Sequence, residues 1–170
     1  MRKLFFWVVG LIIWQTSFSQ NSFNAEFSKI MNEELKIMPI VKELTSKFSI
    51  SDINKMIEDC EKNKESKDEL SVKIRLVKAS FQFIRDQFKK VIVTEYGSLA
   101  RFQNNDFKKK IDDYNKQFSA NPACLGCVSG CYGAYSFCLT EGNPNWLCDL
   151  NRAICVALCY APGGPCQNVE

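Results

Sequence analysis

From residue 20 to about 118, apolar residues recur three and four positions apart, the spacing of one face of an α-helix. Phe23, Phe27, Ile30 and Met31 form one stripe, expected to end near Pro39. Ile40, Val41, Leu44 and Phe48 form the next. Ser51 is placed to cap a helix carrying Ile53, Met56, Ile57 and Cys60 on one face. Lys62 to Lys67 has no apolar residue and reads as a turn. Leu70, Ile74, Val77, Phe81, Ile84, Phe88 and Val91 then alternate spacings of four and three over three heptads. That suits a long bundle helix or a coiled coil, and the bundle is the preferred reading. Gly97 ends it, and Asp106 is placed to cap a last helix bearing Phe107, Ile111, Tyr114 and Phe118.

Residues 1–19 follow another pattern. Arg2 and Lys3 precede an unbroken apolar run from Leu4 to Trp14, and Ser17 and Ser19 stand before Gln20 in the positions a signal peptidase reads. The run has 11 residues, short of the roughly 20 that span a bilayer. A cleaved secretory signal is therefore expected, with an uncleaved anchor as the alternative. Cleavage removes Arg2 and Lys3 and takes the net charge from +3 to +1. The product is secreted or periplasmic, in an oxidising space where cysteines default to disulfides.

The composition switches at Ser119-Ala120-Asn121-Pro122. Before it, residues 20–118 are rich in Lys, Glu, Asp, Phe and Ile, with one Gly, one Pro and one Cys. After it, residues 119–170 carry Arg152 against Glu141, Asp149 and Glu170. The boundary is the best candidate for a linker or a processing site. The Lys108-Lys109-Lys110 run shares its segment with Asp112 and Asp113, so a solvated face is preferred over a nucleic-acid patch.

Eight of the nine cysteines lie between Cys124 and Cys166. The inner six are mirror-symmetric: Cys127, Cys131 and Cys138 step by four and seven, and Cys148, Cys155 and Cys159 step by seven and four. On a helix an offset of four lands about 40° from the start and one of eleven about 20°. Each set thus occupies one face. Two antiparallel helices bring Cys138 to Cys148, Cys131 to Cys155 and Cys127 to Cys159, leaving Cys124 to pair with Cys166. Gly142 suits the end of the first helix, and Asn143 with Pro144 the start of the second. Gly126, Gly130 and Gly133 weaken the first helix but would permit close approach. The expected class is all-α: an N-terminal helical bundle and a C-terminal disulfide-stapled antiparallel hairpin. Cys60 is left as a buried free thiol or a site of intermolecular pairing.

The chain has no histidine, which removes His-based triads and dyads and His-containing zinc sites. There is no Gly-rich phosphate loop, so a non-enzyme without a cofactor is expected. The eight thiols could alternatively hold zinc or an iron–sulfur cluster, but Cys124-Leu-Gly-Cys127 is a single C-x-x-C. The hairpin has little core of its own, so Tyr132, Tyr135, Phe137, Trp146 and Tyr160 are expected at the surface as target contacts. A bacterial envelope or a hydrophobic protein would suit such a face. Packing of the hairpin against residues 70–118 is the competing expectation.

The signal, the lysine-rich helical region and the eight cysteines from Cys124 to Cys166 resemble the bacteriocin fulvocin C-related proteins. That resemblance implies a secreted, bacteriocin-like antimicrobial precursor, cut near Ser119–Pro122 to release a four-disulfide effector. The alternative is a secreted structural or binding protein without killing activity. The Cys127-x3-Cys131 and Cys155-x3-Cys159 elements also resemble plant α-hairpinin peptides.

Overall fold

The computed structural model describes residues 2–62, 67–98 and 121–167, together with 106, 109, 110, 113 and 114. Among them are five α-helices and no strand: α1 (Arg2–Lys47), α2 (Ile50–Lys62), α3 (Glu69–Tyr96), α4 (Pro122–Thr140) and α5 (Asn145–Cys159). The all-α class and the C-terminal hairpin are as the sequence predicts. Phe107, Ile111 and Phe118 of the expected last helix lie outside the described residues.

Helix α1 runs through Pro39, where the sequence predicted a break. Proline cannot donate to the carbonyl one turn back, at Leu35. Pro39 and Leu35 are both exposed, so water can satisfy that acceptor. The buried stripe meanwhile continues on both sides of it, from Phe23, Phe27 and Ile30 to Ile37, Val41 and Leu44. The backbone of residues 2–20 also belongs to α1, through the expected cleavage point. Among the described residues no helix is long and apolar enough to cross a membrane.

Helix α2 is capped by Ser49 rather than Ser51. The Asp52 N–H donates to Ser49 Oγ at 3.2 Å, and the Ser49 N–H donates back to the Asp52 carboxylate at 3.2 Å. This reciprocal pair satisfies two otherwise free donors, which fixes the start two residues earlier than the stripe suggested. Asp68 caps α3 by accepting from the Ser71 N–H at 2.8 Å. The α3 stripe from Ile74 to Val91 is buried, as a bundle helix requires, while Leu70 at its start is 36% exposed.

Helices α1 and α3 pack along each other, α2 covers part of α3, and α5 lies against both α1 and α3. Lys73 of α3 reaches Glu43 of α1 at 2.7 Å and Glu69 at 2.7 Å. One hydrophobic core takes residues from all five helices, among them Phe27, Ile53, Phe88, Tyr132 and Val156. The two compositional segments therefore share a core. The hairpin covers the bundle with Tyr132 and Tyr135, part of the face expected at the surface.

Asn121 begins the hairpin, its side chain accepting from the Ala123 N–H at 2.9 Å with Pro122 following. Gly142 follows the end of α4 with φ 75°, a conformation other residues adopt only with strain. Asn143 does not cap α5. Its amide donates to the Cys138 carbonyl at 3.4 Å, and Pro144 takes the cap position with no side-chain hydrogen bond. Gly126 and Gly130 face open space and mediate no close approach. The close approach is at Gly164, where a side chain would lie 2.5 Å from the Cys159 carbonyl oxygen. There the chain folds back, and the Cys166 N–H donates to that same carbonyl at 2.8 Å.

Candidate functional site at the junction of hairpin and bundle

The structure joins Cys138 to Cys148, Cys131 to Cys155, Cys127 to Cys159 and Cys124 to Cys166. The Cα–Cα distances are 5.7, 5.7, 5.9 and 4.5 Å in that order. These are the rungs that the antiparallel mirror symmetry implies. The sulfurs of Cys127, Cys131 and Cys159 lie within 4.8 Å of one another. All three are in disulfides, so none offers a thiolate to a metal. Every rung is internal to residues 124–166, and four disulfides belong to an oxidising compartment.

What holds the hairpin to the bundle is noncovalent. Arg152 of α5 is 1% exposed. Its Nε lies 3.2 Å from Glu34 Oε2 of α1 and its Nη1 3.3 Å from Asp149 Oδ1. Its guanidinium stands over the Tyr135 ring at 4.7 Å and the Phe81 ring at 5.5 Å. Asp149 also accepts from the Tyr135 hydroxyl at 2.6 Å and from Arg85 of α3 at 2.5 Å. Two guanidinium groups and two carboxyl groups from three helices thus form one network, buried except at Arg85. Isolated charges at such depth would be very costly, so their pairing explains why they are tolerated.

Burial raises the Glu34 carboxyl above its ordinary range, with Arg152 pulling it back down. Asp149 is likewise raised by burial, opposed by Arg152, Tyr135 and Arg85. Burial disfavours the charge on Arg152, but Glu34, the two tyrosines and Asp149 together outweigh it and raise its pKa. The guanidinium stays charged.

The five candidate target contacts separate into three kinds. Tyr132 and Tyr135 are 0% and 2% exposed, so the sequence reading of them as surface residues is corrected. Tyr132 sits 5.5 Å from the Phe27 ring and 5.5 Å from the Phe88 ring, and Tyr135 is 5.2 Å from Phe88. The bundle supplies the core that the hairpin lacks, and the driving force is removal of large rings from water. Trp146 and Tyr160 are half-buried. Phe137 alone of the five is exposed, at 64%. Cys60 is a free, half-buried thiol beside the core, neither fully enclosed nor joined to another cysteine.

Sequence reasoning did not find the network. Two signals for it exist. Glu34 falls on the same stripe as Ile30, Ile37 and Val41, where an acid needs a partner. Arg152 is the one basic residue after position 119 and follows Asp149 by one helical turn.

No protein-family model, curated protein or solved structure matches the chain at a significant level.

Proposed function

We propose that the protein is exported and acts as an intact, non-enzymatic binding protein, with residues 20–118 a permanent part of the folded unit. The observation that carries this reading is the buried Arg152–Glu34 pair between hairpin and bundle. Release of the hairpin would separate Arg152 from Glu34 and Phe81, leaving Glu34 unpaired in the bundle, and would expose the rings of Tyr132 and Tyr135 to water. Tyr132 and Tyr135 are enclosed, so a hydrophobic or envelope partner of the hairpin would meet Phe137, Leu158 or the half-buried Trp146 and Tyr160 instead.

The signal reading of residues 1–19 supports export, and the disulfides favour the same compartment. The test is unreduced intact-mass analysis of the exported chain. One species containing residues from both sides of Ser119 agrees with the proposal. A separate peptide of about 50 residues beginning near Ser119–Pro122 would overturn it.

The bacteriocin-like precursor is the second reading, and one observation favours it. Since every rung closes within residues 124–166, a single backbone cut near Ser119–Pro122 would leave the hairpin covalently complete. The bundle would then mask the Tyr132 and Tyr135 face until release. Growth inhibition of related bacteria by the isolated hairpin, with no inhibition by the intact chain, distinguishes this reading.

A further inference from the structure

We infer that the cleft between α2, α3 and the start of α5 is a binding site for a neutral saccharide, stacked on Trp146 and hydrogen-bonded by Gln82, Asn145, Arg85 and Glu58. The inference names a ligand class for the binding role above and rests on that reading. The cleft has a volume of about 300 Å³. That is the low end for ligand pockets and fits a ligand of one or two rings.

Its chemistry is mixed in a specific way. The half-buried Trp146 supplies apolar surface, with the buried Ile57 and Phe81 behind it. Asp149 pairs with Arg85, and Glu58 and Lys78 also line the cleft, so the formal charges of the lining cancel. An anion would meet Glu58, a cation would meet Arg85 and Lys78, and an apolar ligand would strip water from those three charges. A sugar meets none of these penalties. Its ring has an apolar C–H face for the indole, and its hydroxyls both donate and accept.

The polar groups match that need. Gln82 and Asn145 are exposed and offer an amide donor and an acceptor each. Arg85 uses Nη1 on Asp149, and a guanidinium has further donors. The start of α5 has no side-chain cap, so the main chain at Asn145 and Trp146 adds donors beside the indole. Asp149 is fixed by Tyr135 and Arg152, and it in turn fixes Arg85. Such fixed groups lose little freedom on binding.

The test uses the exported chain from Gln20, in which Trp146 is the sole tryptophan. Its emission and the heat of binding are followed against cellotriose, maltotriose, xylotriose, mannotriose and triacetylchitotriose, with glycine as a zwitterionic control. Saturable binding of at least one sugar is expected. In calorimetry, Trp146→Ala should weaken it about tenfold, the loss of one good ring contact. Gln82→Ala, at an exposed position that does not support the core, should weaken it several-fold and serves if the Trp146 variant fails to fold. The inference is overturned if no sugar binds, if glycine binds and the sugars do not, or if Gln82→Ala and a folded Trp146→Ala both bind unchanged. A negative sugar result with an intact exported chain sinks this inference alone and leaves the proposed function standing.

Discussion

Arg152 of α5 and Glu34 of α1 meet 3.2 Å apart, with side chains 0% and 2% exposed. Each lies in a different compositional half of the chain, and no disulfide links those halves. The pair is thus the clearest mark of the surface along which hairpin and bundle are joined. Either Arg152→Ala or Glu34→Ala should destabilise the protein by about 3–5 kcal/mol in chemical denaturation. The pair Glu34→Leu with Arg152→Met should cost clearly less than the sum of its single changes, because neither leaves a lone buried charge. Strict additivity would contradict the pairing.

The aromatic residues of the hairpin should divide by depth. Tyr132→Ala removes a ring enclosed by Phe27 and Phe88 and should cost about 3–5 kcal/mol. Tyr135→Phe keeps the ring but deprives Asp149 of a hydrogen bond, for about 1–3 kcal/mol. Phe137→Ala, at an exposed site, should stay within about 0.5 kcal/mol of the parent. Equal losses at Tyr132 and Phe137 in thermal melts would place the hairpin face wrongly.

The acids should divide by the sign of their pH dependence. Lys47 and Lys73 lower Glu43 from 4.5 to about 2, so its contribution is present above pH 4.5 and lost as pH falls towards 2. Glu43→Gln should remove that acid-side loss. Glu34 is raised above 4.5 by burial, so the native state binds more proton than the unfolded chain just above that value. Its contribution is present below pH 4.5 and falls as pH rises through the raised pKa. Glu34→Gln should abolish that decline, whatever it does to the overall level. Stability measured across acid and neutral pH, variant by variant, checks both slopes.

The nested rungs should contribute more evenly than their sequence separations suggest. Cys124–Cys166 spans 42 positions and Cys138–Cys148 spans 10. With Cys127–Cys159 already formed, the outer rung closes a path of only about ten residues. Removing either rung by paired Cys→Ala changes should therefore cost a similar ~2–3 kcal/mol. A much larger loss for the outer rung would show that the inner rungs do not constrain the unfolded chain.

The disulfide ladder was legible because cysteine spacing and helical pitch are both local quantities, and one antiparallel arrangement aligns all three inner pairs. The α3 stripe was legible for the same reason. Residues whose state depends on two distant segments were not. Tyr132 and Tyr135 read as exposed because the hairpin lacks a core of its own, and only the α1–α3 surface supplies one. Glu34 interrupts its stripe by one polar residue, which local periodicity tolerates. Pro39 read as a helix end because periodicity cannot tell that Pro39 and Leu35, whose carbonyl it leaves free, are both exposed. Ser49 and Ser51 are both good caps, and only the reciprocal bond with Asp52 chooses between them.

Hydrogen exchange followed by mass spectrometry tests most directly whether hairpin and bundle are one unit. Slowest-exchanging amides around Glu34 in α1, Phe88 in α3 and Arg152 in α5 should share one opening free energy, and Arg152→Ala should lower it for all three together. Exchange of α1 and α3 at a lower opening free energy, with α4 and α5 still protected, would contradict the claim.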